Sequence, residues 1–289
     1  MKLKIVGLFL LMAAVVFLAG FKIPGIPTEI GKALQVGAKA GKKAVVAARG
    51  ISDSEEYFVG RAVAARILGK YPLYQNQAVN LYVNEVGQAV AKKSSRPTTY
   101  KGYHFAVLDS SEPNAFACPG GIILVTRGLI KECANEDELA AVLAHEVAHI
   151  AHKDGINSIN KARWSQVLTT AGAEATRQYA GGVAGNLVTL FEGSIDDVFK
   201  TIVVNGYSRK AEENADRDAV SILTKAGYNP AALANLLNKM TSKGAGGRGI
   251  YRTHPPTSDR LAKVKAVVRE TPASPSEEAR TKRFQEEKF

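Results

Sequence analysis

Two histidines and a glutamate carry the strongest chemical signal in the chain. His145, Glu146 and His149 spell HExxH. Residues four apart on a helix stand on one face. Both imidazoles can therefore reach one tetrahedral metal at about 2.0–2.1 Å. Glu146 follows the first histidine and leans toward the open position of such a metal, where it can take a proton from water. The chain holds five histidines in 289 residues. Chance assembles this pattern in fewer than about one such chain in a hundred, so polar residues scattered on a core helix are the weaker reading.

A catalytic zinc needs a third protein ligand and one open position. His152 lies seven residues beyond His145. That is roughly 10.5 Å along a helix axis, too far to share the ion. The segment SRKAEENAD offers a better donor. Glu212 and Asp216 are four apart and share a face. A carboxylate there could ligate, while Asp216 accepts the other N–H of a ligating imidazole. Spacing does not separate Glu212 from Glu213, and a solvated acidic face reads equally well.

These residues need elements to hold them. NEDELAAVLAHEVAHIAHKDG predicts a helix with Asn135 as its cap and Glu138 completing a capping box. Leu139, Leu143, Val147 and Ile150 mark its core face. Upstream, helices are expected from Ser52 or Asp53 to Leu68 and from about Gln75 to Ala91. Tyr103–Leu108 and Ile122–Thr126 read as short strands, with PNAFACPGG and its Pro-Gly-Gly turn between them. Further helices are expected from about Arg209 to Ala226, from Pro230 to Met240, and after Ser258. Residues 156–205 are rich in Ala and Gly and weakly patterned, as in a lid, a membrane-facing segment or an insertion. The tail 271–289 is polar and expected to fray. The fold class is α+β: mainly helical, with a small sheet beside the HExxH helix. Its domain is set at 53–270.

Composition adds bounds. Hydrophobic residues make up 46% and charged residues 22%, ordinary for a chain with a core. The net charge of +11 reads as a basic, soluble surface, and no nucleic-acid motif is visible, so no nucleic-acid partner is expected. Cys118 and Cys133 form no metal pair, and sequence leaves open whether they bridge. Lys2 and Lys4 precede an uncharged apolar run from Ile5 to Phe21. This predicts a membrane anchor or a signal peptide over 1–21, with 22–52 as a linker. The poor cleavage pattern favours the anchor. The expected place is the cell envelope, facing or within the periplasm.

Four ordered motifs extend the reading: NAFACPGGIILVTRGLI, NEDELAAVLAHEVAH, YSRKAEENADRDAV and THPPTSDRLA. Together, over roughly Asp53 to Val268, they resemble the gluzincin family that includes the HtpX heat-shock protease, the CAAX prenyl protease and the beta-barrel assembly-enhancing protease. The chain is similar to its single-anchor or periplasmic branch. The resemblance implies that Glu212 is the third ligand of one Zn2+ ion, with Asp216 in support. Relatives often have a histidine where Asp154 stands, which leaves the support around the ligands open. The resemblance also places His254 near the metal, either to stabilise an oxyanion or to occupy the open position as a latch. Arg209 reads equally as a residue that orients Glu212 or the reaction intermediate and as an ordinary helix-terminal charge.

Ile122, Ile123 and Leu124 are read as a substrate-facing edge strand that an extended polypeptide could join, with Asn114, Ala115 and Phe116 forming its approach. The implied activity is zinc-dependent endopeptidase action on polypeptides, in misfolded or damaged envelope proteins. The alternative is a chaperone-like or regulatory binding protein with a latched zinc site.

Overall fold

The computed structural model describes residues 51–159, 193–242, 250–255, 258–268 and 275–287. The apolar run 1–21, nearly all of the linker, and residues 160–192 lie outside the described residues. No helix among the described residues is long and apolar enough to cross a membrane.

Helix α1, Asp53–Lys70, starts at a capping box. Ser52 Oγ accepts from the Glu55 N–H, and the Glu55 carboxylate accepts from the Ser52 N–H. Helix α2, Gln77–Ala91, is capped by Asn76. Its valines 79, 83, 86 and 90 are buried at helical spacing. Both helices lie within two residues of their expected bounds.

The sheet contains β1 (His104–Leu108), β2 (Ala115–Cys118) and β3 (Ile122–Thr126), in the order β1-β3-β2. β3 runs parallel to β1 and antiparallel to β2. This corrects the expectation of a substrate-facing edge at Ile122, Ile123 and Leu124. Their strand is central, with ladder bonds on both sides. AFAC, read as an approach, is itself the strand beside it. The Pro-Gly-Gly turn joins β2 and β3 as a hairpin, with Gly120 at φ +78° and Gly121 at +108°. A Cβ at Gly120 would press on the Tyr57 backbone, so the turn also seats α1.

The two outer edges differ. β1 is closed by side chains of α2: Asn80 Oδ1 accepts from the Val107 N–H at 2.9 Å and Asn84 Oδ1 from the Phe105 N–H at 3.4 Å. The Tyr74 N–H donates to the Val107 carbonyl at 2.8 Å. On β2, the Thr126 N–H donates to the Asn114 carbonyl at 2.9 Å. Antiparallel alternation then turns the backbone of Ala115 and Ala117 away from β3.

Helix α4, Glu136–Ala151, bears the HExxH residues, after a single turn α3, Arg127–Ile130. Asn135 Oδ1 accepts from the Glu138 N–H at 3.0 Å, and Glu138 Oε2 from the Ala134 N–H at 2.8 Å. Residues from Glu136 to Ile150 are buried on all faces of this helix. The short α5, Asp154–Asn157, follows a left-handed Lys153. A π-helical turn, Lys200–Asn205, packs against β2 and leads through Gly206 to α6, Arg209–Ala226. Then come α7 (Ala231–Ser242), α8 (Ile250–Thr253), α9 (Ser258–Val267) and α10 (Pro275–Glu286). The last helix corrects the expectation of a frayed tail. Its polar sequence hides a buried Phe284 and arginines bound to buried acids. Cys118 and Cys133 are both free and buried.

Candidate metal centre

Helix α4 brings His145 and His149 edge to face, with ring centroids 4.7 Å apart and Nε2 atoms 3.1 Å apart. Helix α6 packs against α4 through Ala215, Ala219 and Leu223. That packing carries Glu212 in: Oε2 lies 3.4 Å from His145 Nε2, and Oε1 lies 3.4 Å from His149 Nε2. His254 completes the group. Its Nδ1 is 3.0 Å from Glu212 Oε1 and 3.3 Å from His145 Nε2. The ligand atoms of all four residues lie within 4.8 Å of one another, and all four are buried.

The far sides of the rings are held as well. Asp154 Oδ2 accepts from His149 Nδ1 at 2.8 Å. Asp216 Oδ1 stands 3.1 Å from His145 Nδ1. Arg260, from α9, grips Asp216 through Nε at 2.7 Å and Nη2 at 2.8 Å, and its Nη1 reaches Glu212 Oε2 at 2.8 Å. The Tyr207 ring stacks on His149 at 4.2 Å between centroids.

Of the residues expected here, His145, Glu146, His149, Glu212, Asp216 and His254 converge. Arg209 does not. Its side chain is 70% exposed, and its ion-pair partner among the described residues is Asp259, at 3.9 Å. It sits at the solvated start of α6, while the guanidinium that orients Glu212 belongs to Arg260. Arg260 had a sequence signal: two carboxylates on one buried helix face need a cation, and THPPTSDRLA carries it. Asp154 fixes the His149 ring directly. No spacing rule marked Tyr207. His152 pairs with Asp218 at 2.8 Å, outside the group.

Charge is unevenly shared in the cluster. Burial works against a charged His145, but Asp216 and Glu212 outweigh it and lift its pKa to about 10. Burial likewise opposes a charged His149, and Asp154 and Glu212 raise it. For Glu212 burial favours the neutral acid, yet His254 and the other imidazoles hold the carboxyl well below its usual range. Arg260 and His145 bring Asp216, against burial, down to about 2.

The donor set fits a divalent cation. Two imidazole nitrogens and an ionised carboxylate suit a borderline metal. Glu146 Oε2 is buried with no hydrogen-bond partner, pointing to a missing polar ligand. Its other oxygen lies 3.6 Å from His254 Nε2. Beside His145 and Glu146 opens an apolar recess lined by Val142, Leu236, Leu237, Met240 and Ile250.

The expected substrate residues fall next to this group. Asn114, Ala115 and Phe116 run along β2, which packs on α4. The Ile250 N–H donates to the Pro113 carbonyl at 2.8 Å, and Thr253 Oγ1 donates to Asn114 Oδ1 at 3.4 Å. The segment bearing His254 is thus fastened to the start of β2.

Comparison with known proteins agrees with this geometry. The beta-barrel assembly-enhancing protease of Escherichia coli is 25% identical over 215 residues, 73% of this chain and 43% of that protein. The chain thus spans less than half the length of that relative. The protease HtpX homolog of Salinibacter ruber is 25% identical over 73% of this chain and 83% of its own length. The mitochondrial metalloendopeptidase OMA1 of Schizosaccharomyces pombe is 28% identical over 64% of this chain and 51% of its own length. Residues 77–268, well over half of the chain, match the description "Peptidase family M48". With its histidines, glutamates and their supports on one buried centre, the chain belongs to peptidase family M48.

Proposed function

We propose that the chain is a zinc-dependent endopeptidase in which His145, His149 and Glu212 hold one zinc ion. One observation carries the reading: both Nε2 atoms and the Glu212 carboxylate meet in one buried cluster beside the unpaired Oε2 of Glu146. A zinc ion held by these residues would supply Lewis acidity toward a carbonyl oxygen and toward water. Glu146 takes the proton from that water and passes it to the leaving amine. Asp154 and Asp216 keep the two Nδ1 sides oriented, and Arg260 fixes Glu212.

The backbone of Ala115 and Ala117 on β2 faces away from β3 and is buried where the turn Lys200–Asn205 packs on it; an extended substrate would join it there by displacing that turn. An edge takes internal segments, which supports an endopeptidase. His254 is read as a latch: its Nδ1 stands among the atoms that would hold the metal, where it would compete with a substrate carbonyl.

The substrates proposed are misfolded or damaged proteins of the cell envelope. The apolar run near residue 5 and the likeness to a beta-barrel assembly-enhancing protease support a membrane-attached or periplasmic place. A chaperone-like binder is the competing class, but a pure binder has no use for a general base at Glu146.

Metal analysis paired with casein cleavage tests the reading. Wild-type protein is expected to hold one zinc ion and cleave. Glu146→Gln is expected to keep the zinc and lose cleavage by about 10²–10⁴-fold. Unchanged cleavage in that variant would defeat the assignment. His254→Ala is expected to raise cleavage if the latch reading holds; a fall would make His254 an oxyanion donor instead.

A further inference from the structure

The first turn of α4 carries three carboxylates in a row, Glu136, Asp137 and Glu138, all buried. A helix N-terminus favours negative charge. Taking three carboxylates out of water still requires close counter-charges. Lys239 of α7 supplies one, with Nζ 2.7 and 2.6 Å from the two oxygens of Glu138.

The other two come from α10. Arg280 meets Asp137 through parallel hydrogen bonds from Nε and Nη2, each 2.9 Å. Arg283 meets Glu136 in the same way, at 2.8 and 2.6 Å. Phe284 is buried against Tyr82, with ring centroids 6.4 Å apart. The receiving surface is shaped for this pattern. The Tyr82 and Tyr228 hydroxyls donate to Glu136 at 2.6 and 3.1 Å, and the Asn229 N–H donates to Asp137 at 2.7 Å. The Arg280 guanidinium lies over the Tyr228 ring at 5.0 Å. Among the described residues, no other cation lies within ion-pair distance of Glu136 or Asp137.

The same helix reaches His145 nine residues after Glu136. That is roughly 13.5 Å along a stiff axis. We infer that α10 is a positioning element for the metal site. Arg280 and Arg283 hold the first turn of α4 in its buried place, and so keep His145 and His149 in register with Glu212. Without them two buried carboxylates lose their counter-charge, and the turn must rotate or fray toward water. The inference rests on the reading of the histidine cluster as a zinc site.

Zinc titration against a chromophoric chelator tests it, comparing the full chain with one ended after residue 270. The shortened chain is expected to bind zinc at least about tenfold more weakly. The same shortened chain carrying Glu136→Gln and Asp137→Asn is expected to recover to within about threefold, because neutral groups need no counter-charge. In the full chain, Arg280→Gln with Arg283→Gln should reproduce the loss, and Arg280→Lys with Arg283→Lys should spare it. This second set stands if the shortened chain does not fold. A wild-type chain that binds no zinc defeats the zinc reading itself. Zinc-binding wild type, with shortened and glutamine variants binding equally well, overturns the role of α10. So does failure of the neutralised carboxylates to rescue either variant.

Discussion

At the scale of single residues, the centre is a set of carboxylates spent on orienting imidazoles. The two arginines near Glu212 in sequence and in space part company here. Arg260→Ala breaks a buried pair and is expected to cost about 3–5 kcal/mol, read as a lower Tm together with weaker metal binding. Arg209→Ala is expected to leave Tm and kcat/KM unchanged, since its ion-pair partner among the described residues, Asp259, is also exposed. Protons and metal compete for His145. With its pKa lifted to about 10, the metal-free protein carries a charged imidazole at neutral pH. That protonation stabilises the metal-free fold fully below about pH 6.5, the unfolded value, and the contribution fades as pH rises towards 10. Metal uptake near pH 7 is therefore expected to release at least one proton, and apparent affinity to rise by about tenfold per pH unit. Calorimetry in buffers of different ionisation enthalpy checks this, and an affinity flat from pH 6 to 8 would refute it. HExxH was legible because its geometry is local to one helix. Arg260 was not singled out, because no periodicity tells a buried acid which distant cation it will meet, and the role of Asp154 stayed open, because none tells an imidazole which carboxylate will hold it.

At the scale of elements, the order β1-β3-β2 decides where a substrate strand can attach. Ala117→Pro removes an outward N–H from β2 and no ladder bond. It is expected to lower kcat/KM at least about tenfold, with helix content and metal affinity kept. Leu124→Pro, in the central strand, is expected to unfold the protein. Circular dichroism beside cleavage rates separates the two; equal loss of structure would count against the edge assignment. Helix starts at Ser52 and Asn135 were readable because a cap is a contact between neighbours. Strand order was not, because it depends on which apolar faces meet across the domain. The register of α10 was hidden for the same reason. Its arginines look solvated in sequence, while their acid partners lie more than 140 positions away.

At the scale of the whole molecule, several elements converge on α4, and a metal between α4 and α6 should bind them together. Stripping the metal is expected to lower Tm. At a free concentration of 100 times Kd the ion contributes about 2.7 kcal/mol, or roughly 5–10 °C for a domain of this size. Differential scanning fluorimetry with and without chelator measures it, and no shift would argue against a metal at the centre. The amide pair Asn80 and Asn84 has a wider consequence. By occupying the free amides of β1, it makes the sheet one-sided. Open edges on both flanks of a sheet let copies of a protein propagate into fibres. Here the β1 flank is closed by two side-chain amides, so copies of the chain cannot add strand upon strand through it.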